Sequence, residues 1–145
     1  MVNHIFIFAF MGRYVVKFIA FGGFFLMLSC VNKEEKSVEI LRRGNDAFRS
    51  RDYKRAEGFY EEALSIDSCF SDAYNNLGIL SFEKGEFNEA ESYYFKSLLC
   101  NKDFLPAYFN RFNLFYETHQ YYRALDELGV VSKVAGDSSL IDINY

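Results

Sequence analysis

The sequence predicts an all-α protein built from three tandem helical hairpins, and three observations carry that prediction. Small and aromatic residues recur at a fixed interval of 34: Ala56, Ala90 and Ala124; Tyr53, Phe87 and Tyr121; Phe48, Phe82 and Tyr116. Within each unit apolar residues fall three and four apart, the spacing that gives a helix one buried face. Short polar breaks, Ser50-Arg51-Asp52 and Lys84-Gly85-Glu86, divide a unit into two such stretches. A fixed period of this size marks stacked repeats, each burying its apolar face against the next.

At 145 residues the chain has the length of one domain, and its aromatic richness suits a buried core. The formal charge of -4 is uneven: the first 30 residues hold Arg13 and Lys17 and no acid, and the remainder has 14 basic against 20 acidic residues. A mildly acidic body with interspersed signs argues against nucleic-acid binding, which needs a basic stripe to replace counterions.

Phe18 to Leu28 is an uninterrupted apolar run of 11 residues. A bilayer core takes roughly 20, so the run fits the apolar core of a secretory signal, with Arg13 and Lys17 as its positive flank. Leu26-Met27-Leu28-Ser29-Cys30 resembles a bacterial lipoprotein signal, with Met27 where Leu is commoner. That resemblance implies a signal peptide over residues 1–29 and a lipid on Cys30. The implied location is the bacterial cell envelope, at the outer membrane facing the periplasm. Ile5 to Phe10 is a second apolar run. One span read from Met1 would place Arg13 and Lys17 near mid-membrane at about 2.5–3.5 kcal/mol each, so Met11 is read as the start, with an uncleaved anchor as the alternative. Residues 30–36 read as the lipidated cysteine and a polar tether reaching about 3.3–3.6 Å per residue.

The first unit, 37–70, places Gly44 and Ala56 where two helix backbones approach, with Tyr60 filling the space beside them. Arg43 stands where the second unit has Leu77, which suggests an exposed first face. In the second unit, 71–104, Ser71 and Asp72 are expected to cap the first helix, Gly85 to follow its end, and Glu86 and Glu89 to sit at the positive end of the next helix. The pattern Tyr74, Leu77, Gly78, Ala90 and Tyr94 resembles the tetratricopeptide repeat. That resemblance implies helix-turn-helix hairpins wound into a short right-handed α-solenoid.

The third unit, 105–138, strays from the pattern. Phe112 replaces the glycine of Gly44 and Gly78, which predicts looser packing there, and Gly129 falls inside the second helix at about 1 kcal/mol relative to alanine. Pro106 suits a first turn, and Gly136 a helix stop. Residues 139–145 are a tail too short for the extra helix that usually covers the last repeat of this family. Phe104, Tyr108, Phe109, Phe112, Phe115, Tyr116, Tyr121 and Tyr122 crowd the third unit. They read either as a docking face, for a permanent partner or a second copy, or as a packed aromatic core.

No enzyme is expected. His119 is the only histidine after Cys30, so neither a Cys/His nucleophile pair nor a metal or cofactor site has its members. The many glutamates read as solvated helix faces. Cys69 and Cys100 lack metal-ligand spacing; they read as buried free thiols in preference to a disulfide, which an oxidising compartment would allow.

The resemblance also implies a concave groove lined by the first helix of each unit. Its positions are Leu41, Asn45, Phe48 and Arg49; Asn75, Ile79, Phe82 and Glu83; and Phe109, Asn113, Tyr116 and Glu117. Phe48, Phe82 and Tyr116 would form an aromatic ladder flanked by amides able to bond an extended peptide backbone, or else the interior of the array. Some members of the family clamp a peptide's terminal carboxylate. Asn45 and Asn76 match the amides of that clamp, but Leu41 and Pro106 replace its basic residues, which argues against carboxylate capture. The expected function is a lipid-anchored protein–protein interaction module, an accessory subunit of an envelope complex such as outer-membrane protein assembly. The alternative is a surface-exposed lipoprotein binding an external ligand or host protein.

Overall fold

The computed structural model describes residues 33–136. The signal segment, Cys30 and the tail lie outside them. Six helices alternate with short turns in the described span: α1 (33–49), α2 (Tyr53–Ile66), α3 (Ser71–Glu83), α4 (Phe87–Cys100), α5 (Leu105–Glu117) and α6 (Tyr121–Ala135). They pair as three hairpins, α1/α2, α3/α4 and α5/α6. Each hairpin packs on the next, and α3 also touches α5. The first helices of successive hairpins therefore share one side of the stack.

The three hairpin turns are one structure repeated. Arg51, Gly85 and His119 have φ of 60°, 78° and 60°. After each, the N–H of Asp52, Glu86 or Gln120 donates back to the carbonyl of Ala47, Ser81 or Phe115 (3.0, 2.9 and 2.7 Å). This six-to-one bond around a left-handed residue closes the first helix and satisfies carbonyls that the helix leaves free. Asp52, Glu86 and Gln120 then serve as N-caps of the second helices. In the first hairpin Asp52 also caps with its side chain, which accepts from the Arg55 N–H at 3.2 Å.

Several expectations are corrected. Ser71 and Asp72 do not cap α3. Its N-cap is Phe70, extended at φ -83° and ψ 97°, with no side-chain bond. Ser71 is buried in the first turn instead, and its carbonyl accepts from Ser97 Oγ at 2.8 Å. Residues 33–36, read as tether, belong to α1. Lys and Glu are good helix formers even without a buried face. Cys69 and Cys100 are not free thiols. They form a disulfide with Cα atoms 5.2 Å apart, tying the α2–α3 loop to the end of α4. Cys69 is exposed and Cys100 half-buried, where both were expected to be buried. Gly129 leaves α6 unbroken, and Gly136, at φ 68°, ends it.

Between the helices the core runs as successive clusters. One holds Ala47, Ala56, Tyr60 and Leu77, and the next Ala90, Tyr94, Leu114, Phe115 and Ala124. Two glycines are required by these contacts. A Cβ on Gly44 would lie 2.5 Å from the Tyr60 ring, and one on Gly78 would lie 2.5 Å from the Tyr94 ring. The third hairpin inverts this size relation. Phe112 is the large residue on its first helix, and Leu128 stands at the register of Tyr60 and Tyr94.

Candidate functional site

The inner helices α1 and α3 border a pocket of about 310 Å³ lined by Asn45, Phe48, Arg49, Tyr60, Asn76 and Ile79. Its lining holds a shared acceptor. Asn45 Oδ1 takes a hydrogen bond from Asn76 Nδ2 at 2.8 Å and another from the Tyr60 hydroxyl at 3.0 Å. Burial pushes the Tyr60 phenol up to about 12, so it keeps its proton and stays a donor at neutral pH. With Oδ1 taken twice, the Asn45 carboxamide has its N–H groups left as donors, the chemistry that meets a peptide carbonyl. Arg49 lies 3.0 Å from Asp46, which also accepts from Arg42 at 3.1 Å, so its charge is partly offset.

A second amide bond ties α3 to α5: Asn110 Nδ2 donates to Asn75 Oδ1 at 2.8 Å. Asn75 is only 5% exposed, so its carboxamide holds two inner helices in register and is out of a ligand's reach. That removes it from the expected contact set. Leu41 is half-buried and packs against the first hairpin's core. Tyr60, read from the sequence only as a space-filler for Gly44, emerges as a polar member of the site. Its hydroxyl reaches the groove because the ring crosses beside a residue without a side chain.

The aromatic ladder is partly structural. Each of its rings rests on the first residue of the following helix, across the turn. Phe48 lies 5.5 Å from Tyr53, Phe82 5.6 Å from Phe87, and Tyr116 5.8 Å from Tyr121. Phe48, Phe82 and Ile79 are half-buried against the core clusters. On α5 the matching residues Phe109, Asn113 and Tyr116 are exposed.

The other third-hairpin aromatics divide. Phe115 is buried beneath the Arg123 guanidinium, 3.9 Å from its centroid. Tyr121 and Tyr122 are exposed, whereas Phe104, Tyr108 and Phe112 are half-buried.

Residues 59–92 match the family described as Tetratricopeptide repeat, and the stacked hairpins extend the same plan to either side. The fold is that of a tetratricopeptide-repeat protein. Solved structures agree. The tetratricopeptide-repeat domain of Arabidopsis OM64 superposes with a TM-score of 0.63 at 23% identity, over 74% of this chain and 89% of that one. The N-terminal domain of stress-induced protein-1 from C. elegans gives 0.66 at 19%, over 75% and 91%. The first tetratricopeptide-repeat domain of Spaghetti (RPAP3), solved bound to the HSP90 peptide SRMEEVD, gives 0.65 at 19%, over 73% and 84%. No curated protein matches the chain in sequence. The tetratricopeptide-repeat body spans nearly the whole of these structural neighbours, and its inner-helix side is the candidate interaction surface.

Proposed function

We propose that this chain is a lipid-anchored tetratricopeptide-repeat interaction module that holds an extended protein segment over Asn45, Phe48, Asn76 and Ile79. The observation that carries the reading is the Asn45 carboxamide, oriented by Tyr60 and Asn76 in the lining of an open pocket that also holds the apolar side chains of Phe48 and Ile79. A fixed amide donor beside half-buried apolar side chains suits backbone recognition plus side-chain anchoring. A structural neighbour binds the acidic peptide SRMEEVD. Here Leu41 and Pro106 supply no base to meet a terminal carboxylate, so the occupant is an internal segment.

The anchor is a lipid on Cys30 after removal of residues 1–29, which puts the body in the cell envelope as a subunit of a membrane-associated complex. The Cys69–Cys100 disulfide supports that location, since disulfides persist where the surroundings are oxidising. The exposed aromatic residues of the third hairpin support a standing partner.

Two measurements test the two halves separately. Metabolic labelling with an alkyne fatty acid is expected to mark the wild type and to be lost in Cys30→Ser; an unlabelled wild type overturns the anchor. A photo-crosslinking residue at Ile79 is expected to trap one membrane-associated protein, and Asn76→Trp, which fills the pocket, to abolish it. Crosslinking unaffected by Asn76→Trp overturns the groove.

A further inference from the structure

We propose, resting on the groove reading above, that the segment held over α3 and α5 carries lysine or arginine side chains alternating with aromatic or aliphatic ones. The charge of the two inner helices selects for it. α3 contains Asp72 and Glu83 and no base; α5 contains Glu117 and one base, Arg111. Arg111 is turned inward and paired with Glu127 of α6 at 3.1 Å. Glu83 and Glu117 are exposed and make no ion pair among the described residues. They stand one and two repeats on from Arg49, which lines the groove pocket.

Charge is segregated along the whole body. Residues 33–55 hold 8 basic and 5 acidic groups, and residues 56–136 hold 6 basic and 13 acidic. A segment crossing the second and third hairpins meets negative potential, which attracts cationic side chains and speeds their capture at low salt.

The apolar half of the recognition lies on α5. Phe109, Asn113 and Tyr116 follow at the spacing of one helix face, and the two rings are 44% and 55% exposed. Tyr116 is backed by Phe112 at 6.1 Å and Tyr121 at 5.8 Å, so it is held in place before any ligand arrives. Exposed aromatic rings receive a guanidinium or ammonium on the ring face. The molecule already makes such contacts within itself, Arg43 over Phe59 at 4.4 Å and Lys96 over Tyr93 at 5.1 Å. No cation among the described residues covers Phe109 or Tyr116. Asn113, between them, offers both a donor and an acceptor to an extended backbone.

The test is fluorescence anisotropy on the full-length chain in a non-ionic detergent, with detergent alone as blank. Three labelled, end-blocked peptides of equal length serve as probes: a Lys-Phe-Ser repeat and its Glu-Phe-Ser and Gln-Phe-Ser counterparts. The Lys peptide is expected to bind at least about tenfold tighter than the Glu peptide, by a margin that shrinks with added salt. Glu83→Gln combined with Glu117→Gln is expected to bring the Lys peptide close to the Gln peptide.

Equal or tighter binding of the Glu peptide overturns the charge assignment, and the groove reading survives that result if Asn76→Trp still blocks the Gln peptide. Binding of none of the three overturns both. A dimer dispersed by Phe109→Ser with Tyr116→Ser gives the aromatic face to a second copy and overturns this proposal alone.

Discussion

Arg111 and Glu127 form an ion pair at 3.1 Å, 18% and 9% exposed, at the register where the second hairpin has Leu77 and Tyr93. Arg111 Nε and Glu127 Oε2 are buried without partners. A buried pair with unsatisfied atoms returns less than its desolvation takes. Replacing both residues by those of the second hairpin, Arg111→Leu with Glu127→Tyr, is therefore expected to leave stability unchanged or raise it by about 1–4 kcal/mol. Glu127→Ala alone strands the arginine and is expected to cost about 3–5 kcal/mol. Urea unfolding followed by circular dichroism separates these outcomes.

The same carboxylate gives a pH signature. Burial raises the Glu127 pKa above its ordinary value of 4.5, against the opposing pull of Arg111 and Arg123. The folded chain thus holds this proton more tightly than the unfolded one, so the stabilisation it contributes is present at low pH and is lost as pH rises through the raised value. Wild type is expected to gain stability on acidification from neutrality toward pH 4.5 relative to Glu127→Gln. Parallel stability-versus-pH curves for the two would show that Glu127 titrates normally.

The Cys69–Cys100 disulfide joins residues 31 apart around the second hairpin. In the chain-entropy account, closing a loop of that length is worth about 3–4 kcal/mol. Cys69→Ser with Cys100→Ser is expected to lower the midpoint of unfolding, and a reductant to do the same to wild type but not to the double variant. Alkylation and intact mass of the unreduced chain check the bond directly.

Arg51 carries a Cβ at φ 60°, where the second turn has Gly85. Left-handed backbone costs a side-chain-bearing residue about 1–2 kcal/mol, of which glycine's freedom in the unfolded chain gives back part. Arg51→Gly is expected to stabilise by about 0.5–1 kcal/mol and Gly85→Ala to destabilise by about 1 kcal/mol. Opposite shifts in thermal midpoint are the observable.

Helical glycines divide by what surrounds them. Gly78→Ala drives a methyl to 2.5 Å from the Tyr94 ring, an overpacking expected to cost about 1–3 kcal/mol. At Gly58 and Gly129 an added methyl would meet nothing within 4 Å, so alanine at either is expected to stabilise by about 0.5–1 kcal/mol. Denaturant midpoints for the three single variants decide the matter.

Most of the helical span, the turns at Arg51 and Gly85 and the order of stacking are legible in the chain read alone. Each follows from residues near one another and repeated every 34 positions. Gly44 beside Tyr60 is legible in that way, and so is the stop at Gly85. The cap of α3 is not. Ser71 and Asp72 have capping chemistry, but they come one and two residues too late, because the chain has already turned toward the helix at Phe70.

What the local pattern leaves open is settled by how the helices sit against one another, since hydrogen bonds and covalent links between repeats depend on placement that neighbouring residues do not encode. Asn45 meets Asn76 across 31 residues, and Asn75 is spent on Asn110 and lost to the groove. Cys69 reaches Cys100 only once the second hairpin folds back on itself.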